Sequence, residues 1–494
     1  ANLQGTAKQI FYTSMPPGLE AKPRTMRLDI ASDSPEAKVF AADINSWDLS
    51  DDLKHALIRK GDAFYVVPAD GEAPAKLEKP VPLDRWSFNV DPKEEWHQIY
   101  RESWRMLRDY FYDPAMHGVD WLAIRQKYEP LVDRVADRSD LSEIMQEMSG
   151  ELSALHIYVQ FGDLRVGPDT IQPSSLGARL EKDATGGWKV EHIFTTDPDY
   201  PGETSPLSRP GVDIHDGDVI LSINGRPLQT VNHPEELLAQ QAGQQVLLEI
   251  QPPANAARRS VLVKPLNPEG AKSLRYSEWE YTRRQQTEAL GKGEIGYVHL
   301  RNMGADSIVQ WARDFYPVFN RQGLVIDMRQ NQGGNTDSWI LSRLMRKAWF
   351  HWAPRVGEPY PNMQYAFSGH AVVLCNEWTA SDGEAFSEGF RRLGLGKVFG
   401  TRTWGGQIWL DSRRWLVDNG MCTAAEMGVF GPEGKWLIEG HGVDPDVVVD
   451  NGPHSAFEGR DLQLEAAVKH LQERIAKEPH PVPVVPPHPD KSGR

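Results

Sequence analysis

The stretch Ala371-Val372-Val373-Leu374-Cys375-Asn376-Glu377-Trp378-Thr379-Ala380-Ser381-Asp382-Gly383-Glu384 decides how the chain is read. Its apolar first part predicts a buried strand, and Ala385 to Leu393 has helical spacing. A turn of small residues between them holds the Ser381 hydroxyl out of the packed core. It also leaves backbone N–H groups free at the helix start, where developing negative charge is stabilised. An acyl-transfer nucleophile needs that geometry. Taken alone, Ser381 is equally a helix cap.

The same strand-turn-helix order recurs upstream. Gly323-Leu324-Val325-Ile326-Asp327-Met328 is a near-continuous apolar strand, and Asp337 to Lys347 is a helix. Between them runs Asp327-Met328-Arg329-Gln330-Asn331-Gln332-Gly333-Gly334-Asn335, whose paired glycines let backbone amides approach a substrate carbonyl. With Ile295-Gly296-Tyr297-Val298-His299-Leu300 and a helix over Ser307 to Phe319, the alternation implies an α/β layered domain with parallel pairing. Two such turns in one α/β unit favour a serine hydrolase over a cap and a tight turn. The expected oxyanion hole combines the Asp382 amide with that of Gly333 or Gly334.

A serine hydroxyl needs a base. A lysine after the second glycine of a downstream turn would serve, but Gly400-Thr401-Arg402-Thr403-Trp404-Gly405-Gly406-Gln407 has none there. The other option is histidine. His156 stands at a helix-to-strand junction; His192, His215, His299, His370 and His441 compete with it, and position alone does not select one. A carboxylate must fix the imidazole tautomer. Glu439, in Trp436-Leu437-Ile438-Glu439-Gly440-His441-Gly442-Val443-Asp444-Pro445-Asp446, is the candidate.

The rest of the chain divides by pattern. Its 494 residues exceed one hydrophobic core. Residues 1–85 read as short strands (Gln9 to Thr13, Thr25 to Ile30, Ala63 to Val67) separated by turn clusters such as Pro16-Pro17-Gly18 and Asp70-Gly71. Ile44 to Ser50 with Lys54 to Arg59 suggests part of a blade-like β repeat. The abrupt opening Ala1-Asn2-Leu3-Gln4-Gly5 suggests numbering within a longer protein. From Pro92 the period turns helical: Trp96, Ile99, Trp104, Leu107, Tyr110 and Phe111 form a core face, and helices follow over Trp121 to Val135 and Asp140 to Leu152, with Asp140 and Ser142 as caps. Ile157-Tyr158-Val159 starts a strand. Residues 166–268 form a β-rich module with an Asn224-Gly225 hairpin, a helix over Pro234 to Gln241 and a strand over Val246 to Ile250; it resembles a PDZ domain, which binds extended peptides at its sheet edge. Residues 269–476 hold the α/β domain, and 477–494 a proline-rich tail.

Bulk properties narrow the function. A net charge of −15 argues against nucleic acid as the main partner. No apolar run is long enough to cross a bilayer. Two cysteines, Cys375 and Cys422, form no disulfide framework and fit a reducing compartment, so a cytoplasmic location is expected. No Cys/His cluster has metal-ligand spacing, and neither a metal nor an organic cofactor is expected.

From about residue 92 to 475 the chain resembles the catalytic half of the tricorn proteases, within the wider family of carboxy-terminal processing serine peptidases. The resemblance rests on Gly150-Glu151-Leu152 with His156, the PDZ-like block, Asp327 to Gly334, Asn376 to Glu384, Gly400 to Gly406 and Gly440 to Asp446, in that order. It implies a multidomain protein: the end of a β-propeller over 1–85, a helical subdomain carrying the base over 86–165, the PDZ-like domain, and a crotonase/ClpP-like α/β catalytic domain. It implies Ser381 as nucleophile, His156 as general base, Glu439 at the far end of the hydrogen-bond chain, and Asp382 with Gly333 or Gly334 as oxyanion hole. Gly406, where the other branch carries its lysine, points to the tricorn side. Peptide substrates and a ring-like homo-oligomer, a hexamer, are implied as well.

One position departs from the family. Tricorns usually carry a serine just before the base histidine, where this chain has Leu155. Leucine relays no hydrogen bond, so Glu439 must reach His156 directly or through water, or Ser153 must substitute. The competing expectation is a catalytically impaired peptide-binding or scaffold protein. A weaker third is an acyl hydrolase of non-peptide esters, for which a PDZ-like module has no evident use.

Overall fold

The computed structural model describes residues 3–15, 22–70, 76–83, 85, 87–164, 167, 170–410, 415–481 and 483–493. Ala1, Asn2, the Pro16-Pro17-Gly18 cluster, Gly71 and Val482 lie outside them. The chain divides into two units, Ala1–Asp91 and Pro92–Arg494.

The first unit is all-β. Leu3–Gly5, Gln9–Ser14, Arg24–Asp29 and Ala37–Ala42 form one antiparallel sheet in chain order. Ser46–Leu49, His55–Lys60 and Ala63–Pro68 form a second. Period-two alternation sends Phe11, Phe40, Trp47, Ala56 and Ile58 into one shared core.

The second unit begins with the helix Pro92–Tyr110, which buries Ile99, Tyr100, Trp104 and Leu107. Tyr110 is exposed rather than part of that face; Tyr100 packs instead. Trp104 and Trp121 stack, and each indole N–H donates to the other residue's carbonyl. The helix expected over Trp121 to Val135 is Trp121–Tyr128 followed by a 3-10 turn over Glu129–Arg134. Pro130 has no N–H for the α ladder, which accounts for the change. Asp137, not Asp140 or Ser142, caps the next helix, Arg138–Gly150, by accepting from Ser139 and Asp140 N–H. The expected strand starts later, at Val159. Its segment Val159–Phe161 pairs with Gly420–Cys422, and Ile408, Leu416, Cys422, Ala424 and Ala425 complete the helical core. This pairing brings the distant 405–440 segment against His156.

The β-rich module is an antiparallel sheet of Arg259–Val263, Val246–Gln251, Val219–Ile223, Trp188–Ile193 and Ala178–Lys182 in that order. Asn224 and Gly225 both take positive φ, as the Asn-Gly hairpin requires. The helix there spans only Glu235–Leu238, because Ala239 is already extended and Gln240 left-handed.

The α/β domain has five parallel strands in sequential order: β1 (Ile295–His299), β2 (Gly323–Asp327), β3 (His370–Cys375), β4 (Gly396–Gly400) and β5 (Val447–Val448). Its helices are α1 (Pro268–Gly291), α2 (Ala305–Phe315), α3 (Asp337–Leu344), α4 (Asp382–Arg392) and α5 (Leu462–Lys477). Alternate strand residues serve opposite faces. Leu324, Ile326, Val373 and Cys375 pack with Trp311, Ile340, Phe386 and Phe390 of α2, α3 and α4. Val325, Val372 and Leu374 pack with Leu464, Val468 and Leu471 of α5. Each fully buried aliphatic side chain contributes about 1.5–3 kcal/mol. The sheet is therefore a rigid base, and the loops at the carboxyl ends of β2 and β3 lie side by side on it.

Candidate active site

The turn after β3 has the sharp bend that the sequence predicts. Ser381 sits at φ 54°, ψ −120°, a conformation an L residue adopts only under constraint. The constraint is a set of hydrogen bonds. Ala380 N–H donates to Asn331 O at 2.8 Å, and Thr379 Oγ1 donates to Met328 O at 2.8 Å. Ser381 N–H donates to Glu384 Oε2 at 2.9 Å. The β2 loop thus holds the β3 turn.

Glu384 is a site residue the sequence reading missed. Its buried carboxylate also accepts from Thr403 Oγ1 at 2.5 Å, Gly405 N–H at 2.7 Å and Gly406 N–H at 2.9 Å. Burial pushes its carboxyl up from the ordinary value against the pull of these donors. The available signal was its place three residues after Ser381, the capping-box offset.

Gly333 abuts the Ser381 turn: a Cβ on it would lie 2.5 Å from Ser381 Cβ and 3.0 Å from Asp382 N. Its φ of 80° also favours glycine. Its N–H is taken by Asn331 Oδ1 at 2.9 Å. The N–H groups of Gly334 and Asp382 have no acceptor among the described residues. The Asp382 side chain works elsewhere, with Oδ2 accepting from Thr336 N–H at 2.6 Å and Asp337 N–H at 3.0 Å at the start of α3. Burial, with the Asp337 charge beside it, pushes this carboxyl up to about 7.

His156 is buried, at φ 61°. Thr423 fixes its backbone, donating to His156 O at 2.9 Å while accepting Tyr158 N–H at 2.7 Å. The ring lies edge-to-face with Trp404, 5.2 Å between centroids, and Trp404 N–H donates to Thr379 O at 3.0 Å. His156 and the Ser381 turn therefore share one neighbour. No hydrogen bond joins the imidazole to Ser381 among the described residues, and His156 Nδ1 is buried without a partner. Glu439 accepts from Leu155 N–H at 2.9 Å, Gln407 N–H at 2.6 Å and Ile408 N–H at 3.0 Å. It thus holds the segment that carries His156 through the Leu155 backbone. Ser153 is exposed, at φ 47°.

The competing histidines have other occupations. His192 bonds Glu278, His299 lies between Tyr276 and Asp327 O, His370 meets Glu478 O, and His441 meets Asp444. His215 stands beside Asp213 on the surface. Burial pushes the His156 imidazole below its ordinary value, with Glu439 opposing. A shift in that direction favours the neutral ring, the form that can take a proton. Among the described residues no group of His, Cys, Asp and Glu is arranged to hold a metal ion. No helix among them is long and apolar enough to cross a membrane.

Comparison with known proteins follows the same division. Residues 294–449 match the model of peptidase family S41, 92–150 the tricorn protease C1 domain, and 174–268 the tricorn protease PDZ domain. Tricorn protease homolog 1 of Streptomyces coelicolor is 34% identical over 466 residues, covering 92% of this chain and 43% of the homolog. A putative tricorn-like protease C-terminal subunit of Sulfurisphaera tokodaii is 33% identical over 455 residues, covering 90% of this chain and 52% of that protein. The crystal structure of the tricorn protease superposes with a TM-score of 0.85 at 27% identity, covering 96% of this chain and 46% of that one. The chain thus spans about half the length of these relatives, or less.

Proposed function

The chain belongs to the tricorn branch of peptidase family S41, and from that premise we propose that it is a serine endopeptidase acting on peptides through an acyl-enzyme. The observation that carries the reading is the strained Ser381 turn, which shares Trp404 with the buried His156. Ser381 Oγ attacks the scissile carbonyl as His156 takes its proton. The oxyanion that forms is met by the Asp382 amide and a glycine amide; Gly333 N–H is already engaged by Asn331, which favours Gly334. His156 then protonates the leaving amine, the C–N bond breaks, and an ester to Ser381 remains. Water, deprotonated by the same imidazole, releases the acid.

Glu439 holds the base segment from behind. The alternative of an impaired peptide binder rests on Leu155; against it stands the Glu439 carboxylate, which takes the Leu155 N–H directly. A fluorophosphonate probe tests the choice. Labelling of the peptide that contains Ser381, found by mass spectrometry and lost in His156→Ala, is the expected result. No labelling at any pH rejects the peptidase.

The acid limb of the pH profile follows from burial. A base held below the ordinary histidine value of about 6.5 stays neutral as pH falls through that value. The kcat/KM profile is expected to bend below pH ~6.5; a bend at or above it contradicts the assignment. The stability sign agrees: the neutral ring's contribution is whole above the unfolded value and is lost as pH falls toward the lower folded one.

The two N-terminal sheets read as the end of a β-propeller, and the whole as part of a ring-like hexamer. Sedimentation of the purified chain is expected to give six times the 55.6 kDa of the monomer; a monomer at micromolar concentration contradicts it.

A further inference from the structure

The peptidase reading leaves its base without an orienting hydrogen bond. His156 Nδ1 is buried and unpartnered, Leu155 has no hydroxyl, and the Glu439 oxygens accept backbone N–H groups. The imidazole is flanked instead by aromatic rings. Trp404 stands 5.2 Å away with planes at 88°, and Tyr158 6.0 Å away at 86°. Edge-to-face pairs at such separations are attractive and directional, because the positive rim of one ring meets the negative face of the other.

The Trp404 backbone is itself fixed. Its N–H reaches Thr379 O at 3.0 Å, two residues before Ser381. The next two N–H groups, of Gly405 and Gly406, end on Glu384, which also takes Ser381 N–H. Gly405 O in turn accepts Gly440 N–H at 2.8 Å, beside Glu439. Gly406 cedes the space: a Cβ there would overlap the Trp404 ring. The indole occupies the volume that a side chain at 406 would claim.

We propose that Trp404 is a positioning residue, whose indole orients the His156 imidazole and registers it to the Ser381 turn where this chain has no hydroxyl relay. What the oriented ring does for catalysis rests on the peptidase reading; the ring contact does not. The proposal joins two features of this chain, leucine at 155 and a tryptophan followed by two glycines at 404 to 406.

The test uses the full chain as Trp404→Leu, Trp404→Phe and Gly406→Ala. Leucine keeps apolar bulk but has no aromatic rim or face; phenylalanine restores one; the methyl at 406 displaces an intact indole. Trp404→Leu and Gly406→Ala are expected to lower kcat on a peptide substrate at least ~100-fold, the cost of a misplaced catalytic group, with KM held within about threefold. Trp404→Phe should recover about tenfold of that loss. A second readout needs no activity: carbethoxylation of a His156 ring nitrogen by diethylpyrocarbonate, followed by mass spectrometry, should run at least about fivefold faster in Trp404→Leu, because loss of the indole opens the imidazole to solvent. Unchanged kcat with an unchanged modification rate overturns the proposal, as does a rise in KM alone. If the unmodified chain neither cleaves peptide nor labels at Ser381 while Trp404 still shields His156, the peptidase reading falls and the ring contact stands. If Trp404→Leu fails to fold, Trp404→Phe and Gly406→Ala decide between the same outcomes.

Discussion

Ser381→Ala is expected to lower kcat on a cleaved peptide by about 10⁶-fold and to abolish fluorophosphonate labelling, with the melting temperature within a few degrees of the parent. The reasons lie in how the turn is held. Its φ of 54° is imposed by backbone groups, since Ala380 N–H binds Asn331 O and Ser381 N–H binds Glu384. Alanine keeps both donors, so the bend survives while the nucleophile is gone. His156→Ala should cost nearly as much, and the double variant little more, because nucleophile and base act as one unit. What remains is the catalysis that the two amides and substrate binding supply. Single-turnover measurement with a fluorogenic peptide gives the comparison. A Ser381→Ala protein that keeps more than about a tenth of the parent rate removes Ser381 from the mechanism.

Much of the local geometry of this candidate site was legible beforehand because its parts are local. A strand, a small-residue turn and a helix start lie within about a dozen consecutive residues, so Ser381 and its N–H donors follow from covalent continuity and capping chemistry. The Asp327 to Asn335 turn was legible for the same reason. The proposed base was harder. His156 becomes distinctive only through Thr423, Trp404 and Glu439, all more than 240 residues away in the chain. Spacing carries no information about such contacts, which is why position alone left six histidines level and only the family resemblance singled out His156. The Leu155 departure was visible, but not that Glu439 would take the Leu155 N–H instead of reaching the imidazole directly, because side-chain chemistry alone does not place a backbone donor.

Two helices escaped the sequence reading, for opposite reasons. Helix α1 buries only Leu274, Ser277, Thr287 and Gly291, so it presents no apolar stripe to count. Its start signal, Asn267 as N-cap with Pro268 at the first helical position, was present and passed over. Helix α5 is amphipathic, with Leu464, Ala467, Val468 and Leu471 buried, but lies past the last motif and drew no attention. Both bear on the site through a buried ionic cluster below it.

That cluster gives the second large effect: Arg329→Met is expected to destabilise the Pro92–Arg494 unit by about 3–5 kcal/mol, the cost of leaving buried charge unpaired. Arg329 is 2% exposed, Asp327 0% and Asp461 2%. The guanidinium donates to Asp327 through Nε at 2.9 Å and a terminal nitrogen at 2.6 Å, and to Asp461 at 2.9 Å. Tyr297 and Arg283 add donors to the same two carboxylates. Arg329 also lies 5.3 Å over the Trp279 ring of α1. Methionine preserves much of the bulk but leaves Asp327 and Asp461 buried without the cation between them. Burial alone would push the Asp461 carboxyl up, yet Arg329 and the surrounding donors hold it well below the usual carboxylate range. A group depressed in this way adds stability above its unfolded value of about 3.9 and loses it as pH falls toward the folded value. The gap between parent and variant should therefore be full near neutrality and narrow below pH ~4, a pattern that loss of packing alone does not produce. Urea unfolding at a series of pH values measures it. Because Arg329 lies two residues past the end of β2 and ties the Asn331 to Gly334 turn to α1 and α5, labelling of Ser381 should slow in the variant even under conditions where it stays folded. A variant as stable as the parent at neutral pH would mean that this turn is held by its hydrogen bonds to the β3 loop, and that the ionic cluster is dispensable to it.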